Sequence, residues 1–531
     1  MAYSACLSRI EFMETVSMLQ IVLLLILSCT IAEVINFTSL AVIELDLNSF
    51  NSEIPSWLVN ISSLGSVSIS YSGLYGRIPL GFSELPSLKV LALSGNENLT
   101  ASCSQLFRGG WKKTQVIYLA SNNLHGKLPA SFGNMTALTH FDLSGNNVEG
   151  EIPSSIGKLC NLRDFFISGN NLTGLPEVLV TGNCSSRTPL PSLQHFDFSV
   201  NQLVGKLPEW LVQLENLVQL SLSYNLLSGP IPSLVSLPSI STLDLGHNKL
   251  NGTLPDSPIP LPIVGVELLD LSNNGFSGHI PKTIGETTPN LIFLSLSGNQ
   301  LIGEIPASIG RVLLLGAIDL SNNTLTGNIP PSIGNCSILK ALDLSKNNLS
   351  GNIPSSLAQL RMLQTLHLSD NKLSGGLSQS LQNLSSLETL DIGNNMLTGR
   401  IPPWIGKGFE HLRILRLRSN AFFGELPMAL SNISSLHVLD LAENQFNGSI
   451  PASFGDFKAM AQTQNMNRYL FYGIGNSFID KWFYLSVGLG FAAGLLVPFF
   501  ILAIRKPWSD AYFRFVDKVL ERISCLRNRR A

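Results

Sequence analysis

The chain has 531 residues, of which 45% are apolar and only 13% charged, with 44 Gly, 28 Pro and a formal net charge of −2. That length exceeds what one globular core fills, so the chain is either several domains or an array of repeats. A charge this close to zero supplies no electrostatic attraction for nucleic acid, which is excluded as a partner. The Gly and Pro content suits many short strands and turns better than helices.

Residues 1–32 read as a secretory leader. The stretch "MLQIVLLLILSCTIA", 18–32, is an apolar run of signal-peptide length, and Ala32 before Glu33 offers a cleavage edge. Arg9 ahead of it is offset by Glu11 and Glu14, so an uncleaved anchor is the other reading.

From 33 to 458 one phrase recurs, as in "IDLSNNTLTGNIPPSIGNC" from 318, "LDLSKNNLSGNIPSSLAQL" from 342 and "LDIGNNMLTGRIPPWIGKG" from 390. The dipeptide Ile-Pro or Leu-Pro falls usually 23 to 26 residues apart, Leu377-Ser378 keeps the beat without its proline, and a worn copy near Cys103 brings the count to about 17 units. This is the leucine-rich-repeat period. It predicts an α/β-type leucine-rich-repeat solenoid, with short parallel strands on a concave face and an irregular or 3-10 convex side, plus one transmembrane helix.

Each part of the phrase L-x-x-L-x-L-x-x-N-x-L-x-G-x-I-P has a mechanical reason. Strand leucines such as Leu342 and Leu344 point inward, and Ala341, Asp343 and Ser345 point outward. The Asn that ends each strand forms a column: Asn96, Asn122, Asn146, Asn170, Asn201, Asn225, Asn248, Asn274, Asn299, Asn323, Asn347, Asn371, Asn395, Asn420 and Asn444. A buried amide must find partners, and stacked coils offer backbone groups at the right rise. The following Gly permits positive φ, and the Pro turns the chain toward the convex side. Such an arc offers a long surface and no catalytic pocket.

Four cysteines, Cys103, Cys160, Cys184 and Cys336, lie in this body. Cys160 and Cys184 stand 17 residues after Leu143 and Ile167, equivalent positions of adjacent coils, so a bridge and two ordinary interior cysteines are both open. N-x-S/T acceptors occur at Asn36, Asn60, Asn98, Asn134, Asn171, Asn183, Asn251, Asn322, Asn335, Asn348, Asn383, Asn432 and Asn447. Their number, beside a leader and an anchor, points to a glycoprotein that passes through the secretory route. None is a ladder Asn.

After a juxtamembrane linker, 459–481, residues 482–504 form 23 positions without a charge, long enough to cross roughly 30 Å of hydrocarbon. Arg505 and Lys506 follow, so the basic tail 505–531 is expected in the cytosol and the N-terminus outside, a type I single span in the plasma membrane. Ser486, Gly490 and Gly494 recur every four residues and suit close approach of a second helix, unless they are only the usual membrane glycines. A tail this short holds no kinase domain and none of the kinase motifs. No metal-spaced His/Cys cluster, nucleophile elbow or phosphate loop occurs, so no cofactor and no enzyme activity are expected.

The "LTGxIP" phrase, the leader, the single span and the basic tail together resemble plant leucine-rich-repeat receptor-like proteins. The segment "DKWFYLSVGLGFAAG", with "LAIRKPWSDAYFRFVDK" after it, looks like the membrane and tail region of the xylanase-elicitor receptor branch. The resemblance implies recognition of an extracellular peptide, protein or carbohydrate ligand and signalling through a partner receptor-like kinase, in defence or development. It also marks Tyr512 and Phe515 as a tyrosine-x-x-bulky endocytosis signal. Against the family pattern, the chain is expected to lack the N-terminal cap, part of the mid-repeats near 251–272, the non-repeat island and the C-terminal cap.

Two sets of outward residues are candidates for ligand contact. Asp142, Asp197, Asp244, Asp270, Asp319, Asp343, Asp391 and Asp440 form a carboxylate column, either a site for a basic ligand or a solvated default of the repeat. Phe166, His195, Tyr224, Phe293, His367, Arg416 and Arg418 break the phrase with the aromatic and Arg side chains that anchor interfaces. The rival readings are a membrane-tethered decoy or enzyme inhibitor, similar to polygalacturonase-inhibiting proteins, and a non-signalling truncated paralogue.

Overall fold

The computed structural model describes residues 39–180, 184, 188–232, 237–254 and 265–460. The chain divides into two units, Met1–Ala459 and Met460–Ala531, and the repeats lie in the first. The leader, the span over 482–504 with Ser486, Gly490 and Gly494, and the tail with Tyr512 and Phe515 fall outside the described residues. Among those that are described, no helix is long and apolar enough to cross a membrane.

Among the described residues, seventeen short strands, from Val42–Glu44 to Val438–Asp440, form one parallel sheet whose strands pair in chain order. The register is strict. Ala317, Ala341 and Thr365 are mutual partners, and so are the leucine-type residues Ile318, Leu342 and Leu366 that follow them. Those central residues are 0–1% exposed, which is the strand's period of two at work: the middle side chain enters the coil and its neighbours face away. After each strand the chain turns. The residue before the ladder Asn takes a left-handed conformation, at φ 52° for Asn322, 54° for Lys346 and 57° for Asp370.

Beyond the turn lie smaller parallel sheets of five, six and five strands, running from Tyr75–Arg77 to Gln445–Phe446. Gly351 sits there at φ 75°, where a side chain would be strained. Then comes a 3-10 turn, and the repeat's proline is the residue that caps it: Pro153, Pro306 and Pro330 each precede such a turn, and their carbonyls accept from Ile156, Ile309 and Ile333. Where the proline is missing, Ser378 takes its place and its hydroxyl accepts from the Ser380 amide. Within the turn Gly310 lies so close to the next coil that a methyl group would run into the Ser332 carbonyl oxygen.

Each ladder asparagine binds its own coil to the preceding one. Asn347 Nδ2 donates to Leu344 O and Ser345 O of its own coil, at 3.2 and 3.1 Å, and to Leu320 O of the preceding one at 3.0 Å. Its Oδ1 accepts from Leu325 N at 3.0 Å. The same set recurs at Asn146, Asn170, Asn299, Asn323 and Asn371. Toward the N-terminus the column continues where the phrase has faded: Asn48 fills one rung, and Ser72 the next, its hydroxyl donating to Leu45 O at 2.8 Å.

The carboxylate column has a structural role as well. Asp142, Asp197, Asp270, Asp319 and Asp343 each accept from the backbone N–H two residues on, at 2.8–3.0 Å. These side chains are folded against the sheet rather than freely solvated. Burial, reinforced by the neighbouring carboxyls of Asp270 and Asp343 respectively, pushes Asp244 and Asp319 up to about 7 against the pull of their hydrogen bonds. Burial also raises Asp142, Asp197 and Asp270.

Cys160 and Cys184 form a disulfide between adjacent coils, with Cα atoms 5.5 Å apart. Cys103 and Cys336 are free thiols inside the coil, and burial pushes them up to about 12 and about 11, so neither is a reactive thiolate near neutral pH. Between these regions the interior turns aromatic. Phe107, Phe132, Phe141, Phe165, Phe196 and Phe198 form a continuous run, with ring centroids 4.3–6.1 Å apart along it.

Asn347→Ala removes partners from three carbonyls and one amide in a dry interior, and should lower stability by about 2–4 kcal/mol, read as the urea midpoint. Asn147→Ala, whose exposed amide meets only Asn123 Oδ1, should change it by about 0.5 kcal/mol or less. Opening the Cys160–Cys184 bridge, which spans a sequence separation of 24, should cost about 3 kcal/mol, measured on Cys160→Ser with Cys184→Ser. For the raised aspartates the protonated form favours the fold. Their contribution is complete below the unfolded value near 3.8 and lost as pH rises through about 7. The urea midpoint should therefore fall between pH 5 and pH 8, and less so in Asp244→Asn with Asp319→Asn.

Candidate ligand-binding face

The strand register decides which outward residues meet. Each three-residue strand presents its first and third side chains on the concave face, and parallel pairing stacks these into columns about 4.8 Å apart. Phe166 is third on Asp164–Phe166 and His195 first on His195–Asp197, two neighbouring strands, with rings 6.5 Å apart. His367 and Arg416 are both third-position residues, two strands apart, with Asp391 between them. Arg418 lies two residues past the strand Ile414–Arg416, in the same coil. Phe293 opens the strand Phe293–Ser295, away from both groups. Tyr224 is on no strand. It occupies the turn, at φ 54°, where its ring stacks on His247 with centroids 4.0 Å apart.

At the N-terminal half of the face the structure adds two residues to Phe166 and His195. Asp164 lies between two imidazoles, its Oδ1 2.6 Å from His195 Nδ1 and its Oδ2 3.1 Å from His140 Nε2. The three occupy the same column on three successive strands. Burial holds His140 below the ordinary histidine value despite the attraction of Asp164. Tyr118, one strand further, is pushed up to about 12 by burial, with Asp164 and Asp142 adding to it.

At the C-terminal half the third-position column alternates in charge: Asp343, His367, Asp391, Arg416 and Asp440 follow one another on successive strands. Burial alone would lower His367, but the hydrogen bond and charge of Asp343, with Asp391 and Asp319 beyond, raise it. Arg416 Nη1 is 3.6 Å from Asp391 Oδ2, and its Nε is buried without a hydrogen-bond partner. Arg418 reaches Glu443 at 3.0 Å and Asp440 at 4.0 Å. Glu443 lies below the usual carboxylate range because Ser419 donates to it and Arg418 stands beside it. The two guanidiniums, ten N–H donors between them by chemistry, are thus only partly engaged by long or single contacts.

His140, Asp164, His247 and Glu443 escaped the sequence reading. The first two stand 55 and 31 residues before His195, and only an alignment of each coil to the strand register places all three in one column. No group of three or more His, Cys, Asp or Glu among the described residues is arranged to hold a metal ion. Of the sequons, Asn60, Asn134, Asn335, Asn383 and Asn432 each end a 3-10 turn, while Asn98, Asn171 and Asn251 stand on the outer sheets. Asn348 and Asn447 adjoin those outer strands, and Asn322 is in a turn. None of these lies on a strand of the seventeen-stranded sheet. Asn36 and Asn183 fall outside the described residues.

The leucine-rich-repeat family models match residues 86–148 and 314–373, and again 192–214, 216–237, 239–261, 265–286, 290–312, 386–407 and 435–457, together more than half of the chain. Receptor-like protein 47 of Arabidopsis thaliana is 37% identical over 97 residues, 18% of this chain and 12% of that protein. The chain matches its curated relatives over only 12% to 24% of their own lengths. Among solved structures, the ectodomain of the Arabidopsis receptor kinase HAESA, in complex with the peptide hormone IDA and the co-receptor SERK1, is 33% identical with a TM-score of 0.65, over 78% of this chain and 72% of that one. The ectodomain of the Arabidopsis thaliana receptor kinase GASSHO1/SCHENGEN3, in complex with CASPARIAN STRIP INTEGRITY FACTOR 2, is 35% identical with a TM-score of 0.69, over 77% of this chain and 48% of that one. With its strand register, its Asn ladder and these matches, the chain belongs to the leucine-rich-repeat family, among the plant receptor-like proteins.

Proposed function

We propose that this chain is the recognition part of a single-pass cell-surface receptor, that its concave face takes an extended peptide, and that it signals through a partner receptor-like kinase. The observation that carries the reading is the pair Arg416 and Arg418, two partly engaged guanidiniums side by side on an otherwise acidic face. A guanidinium fork matches a carboxylate in shape and charge. A peptide ending there with its free carboxylate would run across the strands toward Phe166 and His195.

Ten strand spacings separate Asp164–Phe166 from Ile414–Arg416, about 48 Å. An extended peptide of about 14 residues covers that distance. The related ectodomains bound to peptide hormones support the ligand class, and the position of the sequons off the inner sheet supports an uncovered face. The lipid-crossing stretch at 482–504 and the glycans are part of the same proposal and rest on the sequence.

Full-length glycoprotein purified from plant membranes should carry a receptor-like kinase, identified by mass spectrometry; recovery of none, under conditions in which a related receptor-like protein recovers one, would favour the decoy. Arg416→Glu with Arg418→Glu should weaken a ligand peptide by about 1–3 kcal/mol, and amidating that peptide's C-terminus should do the same to the unaltered protein while leaving the double variant unchanged.

A further inference from the structure

On the flank that leads into the inner sheet, the position three residues before the strand is at least partly exposed in every described coil. In most coils it is small or polar, as at Ser63, Asn161, Asn216, Ser386 and Ser435. Three consecutive coils break that pattern with Leu314, Ile338 and Met362, which are 47%, 39% and 45% exposed. The register that pairs Ala317 with Ala341 and Ala341 with Thr365 stacks them into a row, about 4.8 Å per step. Leu313, 58% exposed, and Ile292, 46% exposed and lying over Gly316, extend the row into a patch. Exposed apolar side chains gathered side by side, rather than scattered singly, mark a contact site.

The charges on its borders say what fits. Lys340 stands on the strand side and Arg361 on the convex side, both exposed and without an ion pair among the described residues. Arg311 is paired with Glu286, and the next acids, Glu267 and Glu388, lie one coil beyond either end. We infer that Leu313, Leu314, Ile338 and Met362, between Lys340 and Arg361, form a lateral docking surface for an acidic amphipathic helix of another protein, separate from the concave face. A second copy is disfavoured, since a two-fold contact would bring Lys340 and Arg361 against their own counterparts. A lipid surface is disfavoured because no Trp or Tyr, the residues of membrane interfaces, stands beside the row. Asn335, at the convex border, directs approach from the strand side if it carries sugar.

The test uses the full-length chain in detergent and two fluorescent helical peptides of about five turns, with the same leucine stripe but flanked by Glu in one and Lys in the other. Fluorescence anisotropy should show binding of the Glu peptide and at least about tenfold weaker binding of the Lys peptide. Lys340→Glu with Arg361→Glu should reverse that preference, and Leu314→Asp with Met362→Asp should abolish both, with unchanged circular dichroism. Asn335→Gln should leave the preference intact. No binding, equal binding of the two peptides, or a preference that survives charge reversal would overturn the inference. So would self-association, or retention on anionic bicelles over neutral ones, that Leu314→Asp with Met362→Asp removes.

Discussion

The fold depends on one hydrogen-bonding constraint. A carboxamide buried at the end of each strand must satisfy its two N–H donors and its oxygen, and the partners it finds belong to its own coil and the one before it. Asn347 does this by linking Leu320, Leu344 and Ser345 to Leu325. Every coil is thereby tied to its neighbours at the same height, and the strands cannot slip in register without breaking several buried bonds together. Hydrophobic burial supplies the bulk of the driving force, but leucines alone tolerate sliding. The amides fix the rise, and with it the stacking of every outward residue into columns.

That columnar order is what makes the surface useful. Residues 24 to 31 apart in sequence become neighbours, so charge and ring contacts form along the arc rather than along the chain. The His140–Asp164–His195 bracket and the alternating run from Asp343 to Asp440 are both products of strand pairing. The same order on the flank turns three unremarkable residues, Leu314, Ile338 and Met362, into a continuous strip. Inside the coils that carry the first of these groups, the phenylalanines from Phe107 to Phe198 replace leucine without breaking the repeat. Their larger rings fill the coil and touch from one level to the next, which stiffens the stretch that carries His140 and His195.

The carboxylate column shows how a repeated phrase acquires a structural meaning. From the phrase alone, Asp at the third strand position reads as a solvated default. In the structure each carboxylate bonds the backbone amide two residues on, which holds the strand's exit in place, as at Asp319 and Asp343. Burial among like charges is the cost of that arrangement, and it makes the coil sensitive to pH in the range where most carboxylates are silent.

The periodic leucines, asparagines and prolines of the sequence were enough to determine the solenoid, its inner sheet and its 3-10 side, because each of those features repeats with the chain and rests on local stereochemistry: alternation in a strand, fixed φ at proline, and the needs of a buried amide. The spacing of Cys160 and Cys184 left a bridge and two free thiols both open, and the candidate residues Phe166, His195, His367 and Arg416 were legible only as departures from a phrase. Which of them meet, which are neutralised by a neighbour, and that Tyr224 stands in a turn beside His247, were decided by the tertiary structure. The reason is that contacts across the coils depend on register and rise summed over many residues, including irregular coils such as that between Ile167 and Phe198, and no local pattern carries that sum.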